Sequence, residues 1–405
     1  MAAHLGEWVN LALRWVHVVT GVAWIGTSFY FNWLNSRLAP PEVPEPGVAG
    51  EVWSVHGGGF YRVVKYTVAP GSLPRTLHWF KWEAYATWLS GIALLVLIYY
   101  LGYYLGAGVY LIDARVAGLG RGAAVAIGLA TLVAAWVVYD LLCRSPLGKE
   151  PLALAGTLFV LGVALTWGLT RLLSARAAYI HVGAALGTIM AANVFRVIIP
   201  SQREMVAAMA EGRPPNATLG RQAALRSLHN NYFTLPVLFV MVSSHYPVTY
   251  GHRLNWLVLA GLTLVGVATR HWFNLRNQGW RGRGERARPN AWLLPGAAGA
   301  MVALALVTAP RGGDGAAGGT ASFADVRLIV ARRCAPCHSA VPTFPGFIGA
   351  PKGLILDTPD DIHAQRERIL TAAVRTRIMP LGNVTGMTEE EREQLGHWIR
   401  AGGLK

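Results

Sequence analysis

Long apolar runs alternate with short, arginine-bearing connections over the first three quarters of the chain, and the pattern then becomes amphipathic and charged. A bilayer span needs about 20 mainly apolar residues. Eight runs approach that length, at 10–34, 82–106, 122–143, 151–173, 177–199, 231–248, 254–275 and 291–309. The sixth carries Pro236, and the short connection before the fifth joins it to the fourth as a helical hairpin. The connection 35–80 is rich in Pro and Gly, carries Trp53, His56 and Tyr61, and is expected to hold an interfacial helix. Residues 310–321, dominated by Gly and Ala, read as a flexible linker. Beyond it, 322–405 shows three helical patterns, Phe323–Arg333, Ile362–Arg377 and Thr388–Ala401. The last opens with Thr388 and Glu391 spaced as a capping box. The predicted fold class is all-α: an eight-helix transmembrane bundle over 1–309 and a small domain over 322–405.

Composition agrees with the pattern. The chain has 405 residues, 53% hydrophobic and only 14% charged, as an integral membrane protein with a soluble appendage would have. The net charge of +15 sits between apolar runs, where it sets topology, so the lipid bilayer and not nucleic acid is the partner expected. The first run lacks a basic leader and a small-residue cleavage site, so no cleavable signal is expected. Tryptophans near run ends, such as Trp8, Trp82 and Trp292, fit an interfacial belt.

One motif carries specific chemistry. Cys334-Ala335-Pro336-Cys337-His338 has the spacing of a c-type haem attachment site, with two thioethers and a proximal imidazole. Met379, 41 residues after His338, is the candidate for the second axial ligand. A zinc half-site would need a further ligand pair, and the third cysteine, Cys143, is distant. A redox CxxC would not need His338. Three short helices around a haem describe a small cytochrome c domain. Haem is attached to such motifs outside the bacterial membrane, so eight spans place both termini on the periplasmic side of an inner membrane. Loop charge gives the same answer: fifteen Lys and Arg fall in the predicted inner loops against five in the outer ones.

The membrane half carries hints of a four-plus-four parallel repeat. Trp15-Val16-His17-Val18 resembles Tyr179-Ile180-His181-Val182, and Leu77-His78 resembles Leu228-His229. Such a repeat sets His17 opposite His181 near the outer surface and His78 opposite His229 near the inner one. Ionisable groups inside spans are functional candidates by default. The inner layer offers His78, Lys81, Glu83, Asn193, Arg196, His229, Asn230, Asn231, Arg270, His271 and Asn274. Snorkelling explains the lysine and arginines individually. Together these groups suggest a polar cavity open to the cytoplasm and suited to a flat, anionic, hydrogen-bonding molecule.

The run Trp15-Val16-His17 with Gly21-Val22-Ala23-Trp24-Ile25-Gly26, the run Phe80-Lys81-Trp82-Glu83-Ala84-Tyr85-Ala86-Thr87-Trp88-Leu89-Ser90-Gly91 and the C-terminal Cys334–His338 motif together resemble the PuuD type of membrane-bound, cytochrome c-dependent urate oxidase. The resemblance covers essentially the whole chain. It implies oxidation of urate to 5-hydroxyisourate, with electrons passing through haem c to a periplasmic cytochrome c or terminal oxidase and no hydrogen peroxide formed. It carries the haem role onto Cys334, Cys337, His338 and Met379, with the iron held by His338 and Met379. The resemblance assigns no urate contacts; the polar residues themselves suggest that His78 or His229 takes the proton, that Lys81, Arg196 or Arg270 holds the anion, and that Asn193, Asn230 or Asn231 reads the ring edge, with Glu83 close by. An inner pocket and an outer haem stand about 30 Å apart. That gap motivates a relay: a haem b ligated by His17 and His181, with Gly21 and Gly26 admitting the macrocycle. Two competing readings are a pure electron-transfer subunit and a membrane oxidase of another substrate, such as a porphyrinogen.

Overall fold

The computed structural model describes residues 2–67, 70–102, 110–278, 290–309, 321–345, 347 and 349–403. Most of the expected linker (310–320), the end of the second run (103–106) and Arg281, Arg283, Arg286 and Arg288 lie outside the described residues.

Helix α1 (Ala2–Arg37) is apolar on nearly all sides, and none of its most apolar window is buried by protein. Trp15 is 72% exposed and Val22 67%, an exposed apolar surface compatible with a bilayer. The connection after it corrects the helix expected there. Strands β1 (Val48–His56) and β2 (Gly59–Tyr66) form an antiparallel hairpin, with Trp53 opposite Arg62 and Val55 opposite Phe60. Gly57 and Gly58 both have positive φ, 56° and 81°, which a tight two-residue hairpin turn requires. The all-α expectation therefore holds for the helices and fails at this one hairpin.

The remaining elements are helical. They are α2 (Trp82–Leu95), extended by a π turn over Val96–Tyr100; α3 (Arg121–Arg144); α4 (Pro151–Leu169); and α5 (Ala175–Asn193), whose N-terminus is capped by Ser174. A second π turn (Val194–Ile198) leads into α6 (Ile199–Ala210), followed by α7 (Ala217–Ser243), the single turn α8 (Pro247–Tyr250), α9 (Asn255–Gln278) and α10 (Leu293–Thr308). Each of the eight apolar runs falls on one of these helices. Among the described residues six are long and apolar enough to cross a membrane. Helix α7 has the length, 27 residues, but its first half is polar; α10 is apolar but has only 16.

Helix α1 lies along α2, and α5 lies between α3 and α7. At one end of the bundle Tyr99, Tyr100, Leu111, Leu173, Tyr179 and Tyr250 form the main core. The C-terminal segment has a core of its own. There α11 (Phe323–Arg333) meets α14 (Glu389–Arg400), with Phe323 stacked on Trp398 at 5.4 Å between centroids. Between them come α12 (Pro359–Ala364), α13 (Arg366–Ile369) and a third π turn over Leu370–Arg375. The expected capping box is present at α14, and Ser322 with Asp325 forms another at α11.

Candidate functional site

Helices α3, α5 and α7 bring a buried polar network together. The Tyr139 hydroxyl lies 2.8 Å from His229 Nδ1 and accepts from Asn193 Nδ2 at 3.0 Å. Asn193 Nδ2 also donates to Asn230 Oδ1 at 2.8 Å, and Asn230 Nδ2 donates to the Met190 carbonyl. Arg226, one turn before His229 on α7, pairs with Asp140 at 2.7 Å and stacks its guanidinium over the Tyr139 ring. A buried cation and anion meet here with a neutral hydrogen-bonding chain beside them. Two buried atoms of the network find no partner, Asn193 Oδ1 and Arg226 Nη1. Buried polar atoms are nearly always satisfied, so an orphan acceptor and an orphan donor in one network point to a missing ligand or water.

On the other side of α7 a second network faces α9. Asn231 Oδ1 accepts from Arg270 Nε at 3.0 Å and from Asn274 Nδ2 at 2.8 Å, and the Arg270 guanidinium sits 3.9 Å from the Phe29 ring centroid. Asn231 is fully buried, and its Nδ2 has no partner. The Tyr232 hydroxyl meets His271 Nδ1 at 2.6 Å. Asn230 and Asn231 are adjacent on a helix and so point about 100° apart, which is how one helix serves both networks.

The inner cluster expected from sequence is thus divided. His229, Asn193 and Asn230 join the first network and Arg270 the second. The side chains of His78, Lys81, Glu83 and Arg196 have no hydrogen bond to either network among the described residues. His78 is exposed with its ring against Phe80. Lys81 is the N-cap residue of α2 and lies over the Trp82 ring, while Glu83 occupies the first turn, where its charge suits the helix N-terminus. Arg196 is exposed on the second π turn. Sequence reading missed Tyr139 and Asp140, although an aspartate inside an apolar run is itself a signal. It also placed Arg226 among loop charges, where the structure puts it inside a helix at 4% exposure.

His17 and His181 occupy unlike seats. His17 Nδ1 contacts the Thr87 carbonyl at 3.0 Å and Ser90 Oγ at 3.1 Å, with Gly91 leaving room for the ring. His181 turns away from α7 toward α3: Nδ1 bonds the Ala177 carbonyl at 2.8 Å and Nε2 the Tyr100 hydroxyl at 3.0 Å. It is fully buried with both ring nitrogens engaged, so it offers none to a metal. The two histidines as they stand do not fit a shared haem b.

The Cys334–His338 motif does fit haem c. It follows α11 directly, and the His338 amide donates to the Cys334 carbonyl at 2.8 Å, folding the motif into a turn. His338 Nδ1 lies 3.0 Å from the Leu354 carbonyl, a partner that fixes the ring and leaves Nε2 for iron. Burial lowers the His338 pKa, favouring the neutral form that ligates a metal, and pushes the Cys334 thiol up to about 12. Among the described residues no group of three His, Cys, Asp or Glu side chains is placed to hold a metal. Cys334 and Met379 pack on the same C-terminal core. Arg392, a charge that sequence reading passed over, is 1% exposed and donates through Nη1 to the Met379 carbonyl at 2.7 Å and to that of Ala373.

No curated protein and no solved structure matches the chain. A family model does, over residues 3–309, which takes in both buried networks and the whole helical bundle. The chain belongs to the urate oxidase N-terminal family.

Proposed function

We propose that this protein is a membrane-bound urate dehydrogenase that converts urate and water to 5-hydroxyisourate, two protons and two electrons. Family membership supports urate-related oxidation. The observation that carries the assignment to a site is the pair of orphan buried atoms, Asn193 Oδ1 and Arg226 Nη1, in the network that holds His229. An acceptor and a donor match an N–H and a carbonyl of urate. His229 takes the ring proton, with the Tyr139 hydroxyl stabilising either of its tautomers. Arg226 supplies the charge that holds the urate anion, and Asp140 orients it. Asn230 fixes the Asn193 amide.

Cys334, Cys337, His338 and Met379 would hold haem c, which supplies a one-electron acceptor and removes the need for oxygen and for peroxide formation. The six long apolar helices are compatible with a bilayer, and we assign α7 and α10 to it as well. In this reading the C-terminal segment is periplasmic, and a periplasmic cytochrome c or terminal oxidase drains it. Urate added without oxygen to the purified protein should bleach the oxidised haem spectrum and raise the reduced bands. A haem that stays oxidised would overturn the urate reading and leave the electron-transfer subunit and the oxidase of another substrate.

A further inference from the structure

The candidate haem ligand Met379 lies at the end of a strap, Thr376–Met379, that is held from two sides. From the C-terminal core, buried Arg392 donates to the Met379 carbonyl, and the Met379 amide donates to that of Ala372 at 3.0 Å. From the helical bundle, Arg115 Nη2 donates to the Arg377 carbonyl at 2.7 Å. Asp113 holds that guanidinium by both oxygens, Oδ1 at 3.0 Å from Nε and Oδ2 at 2.5 Å from Nη2, so its direction is fixed. Gly251, after α8, packs so closely on the strap that a Cβ there would come within 2.7 Å of Thr376 Cβ and 3.1 Å of the Thr376 carbonyl. Ile378 packs against the tyrosine-rich core at that end of the bundle. Arg377 itself has φ 53°, a conformation that a residue other than glycine keeps only when its surroundings impose it.

The geometry points to a coupling device: the strap that docks the C-terminal segment on the bundle is the strap that presents Met379, and Arg115 is a positioning residue for that ligand. The inference rests on the haem c reading of Cys334–His338. Undocking frees the strap on the bundle side, leaves only its anchors in the C-terminal core, Arg392 and the Ala372 carbonyl, and weakens the Met379–iron bond. A thioether stabilises the reduced metal, so a weaker bond lowers the reduction potential. Docking thereby matches the acceptor's potential to its contact with the domain that oxidises substrate.

The test uses the full-length protein and its Arg115→Ala, Arg115→Lys and Gly251→Ala variants. Haem content by pyridine haemochrome, midpoint potential by redox titration, and hydrogen–deuterium exchange of the 372–380 peptide are measured on each. Arg115→Ala and Gly251→Ala should keep covalent haem, exchange the Met379 amide about tenfold faster, and lose roughly tenfold in preferential binding of Met379 to the reduced iron. That loss corresponds to a potential lowered by about 59 mV for one electron. Arg115→Lys, which keeps a donor but loses the fork held by Asp113, should fall between. Wild-type protein without covalent haem overturns the haem reading and this inference together. Haem present, with potential and exchange unchanged in both Arg115→Ala and Gly251→Ala, overturns the coupling alone.

Discussion

The hydroxyl of Tyr139 and Nδ1 of His229 lie 2.8 Å apart, joining α3 to α7 inside the polar network on the α5 side. If His229 is the proton acceptor, His229→Gln should lower kcat by about 10²–10⁴-fold with a small effect on KM. Tyr139→Phe should lower it less. It should also destabilise the fold by about 1–3 kcal/mol, because Asn193 and His229 each lose a buried partner. Urate-dependent reduction of an added c-type cytochrome gives the first quantity and thermal unfolding in detergent the second.

Asp140 serves two arginines of unequal burial. Its pair with Arg226 involves a side chain 5% exposed, whereas Arg144 is 66% exposed. Asp140→Ala strands a buried guanidinium and should cost about 3–5 kcal/mol. Arg144→Ala should cost less than about 1 kcal/mol. Equal melting temperatures for the two variants would contradict the assignment of Arg226 to the protein interior.

Gly128 on α3 gives His181 its room: a Cβ there would stand 2.6 Å from Nε2 and would also meet the Tyr100 hydroxyl. Gly128→Ala should destabilise by about 1–3 kcal/mol through overpacking. Adding Tyr100→Phe removes one of the two colliding groups and should recover part of the loss. A strictly additive double variant would show that the contact is not shared.

Glu391 closes the capping box at α14 and also accepts from Arg333 Nε at 3.0 Å, tying that helix to the residue before Cys334. Thr388→Ala should cost about 1 kcal/mol, the usual worth of a cap. Glu391→Ala should cost more, since cap and ion pair go together. Unfolding followed through the C-terminal segment separates the two.

The apolar runs foretold the helices because a helix that is apolar all round has no polar face to interrupt the run, so run length alone marks it. The Thr388–Glu391 box was legible because its chemistry is local in sequence. The hairpin was missed although Val52, Trp53, Val55 and the His56-Gly57-Gly58-Gly59 turn spell one, because the surrounding prolines and aromatics suggested an interfacial segment. Within the candidate site, His229 and Asn193 could be singled out as polar groups in apolar surroundings. That Lys81 and His78 stand apart from them could not, since the rotation of α2 is set by packing and not by its own composition. Arg392 was hidden for a similar reason: its helix is charged throughout, and only the tertiary fold shows which charge turns inward.

Among the described residues three π turns interrupt otherwise regular helices, at Val96–Tyr100, Val194–Ile198 and Leu370–Arg375. The first carries Tyr100 to His181, the second follows Asn193, and the third leads into the strap of Met379. Each holds a bond from residue i to i+5, as between the Val96 carbonyl and the Leu101 amide, and so accommodates one residue more than the helix around it. An alignment with a descendant that had dropped any of these tasks should therefore open a gap of a single position at the corresponding turn, leaving the helix longer in phase and poorer in purpose.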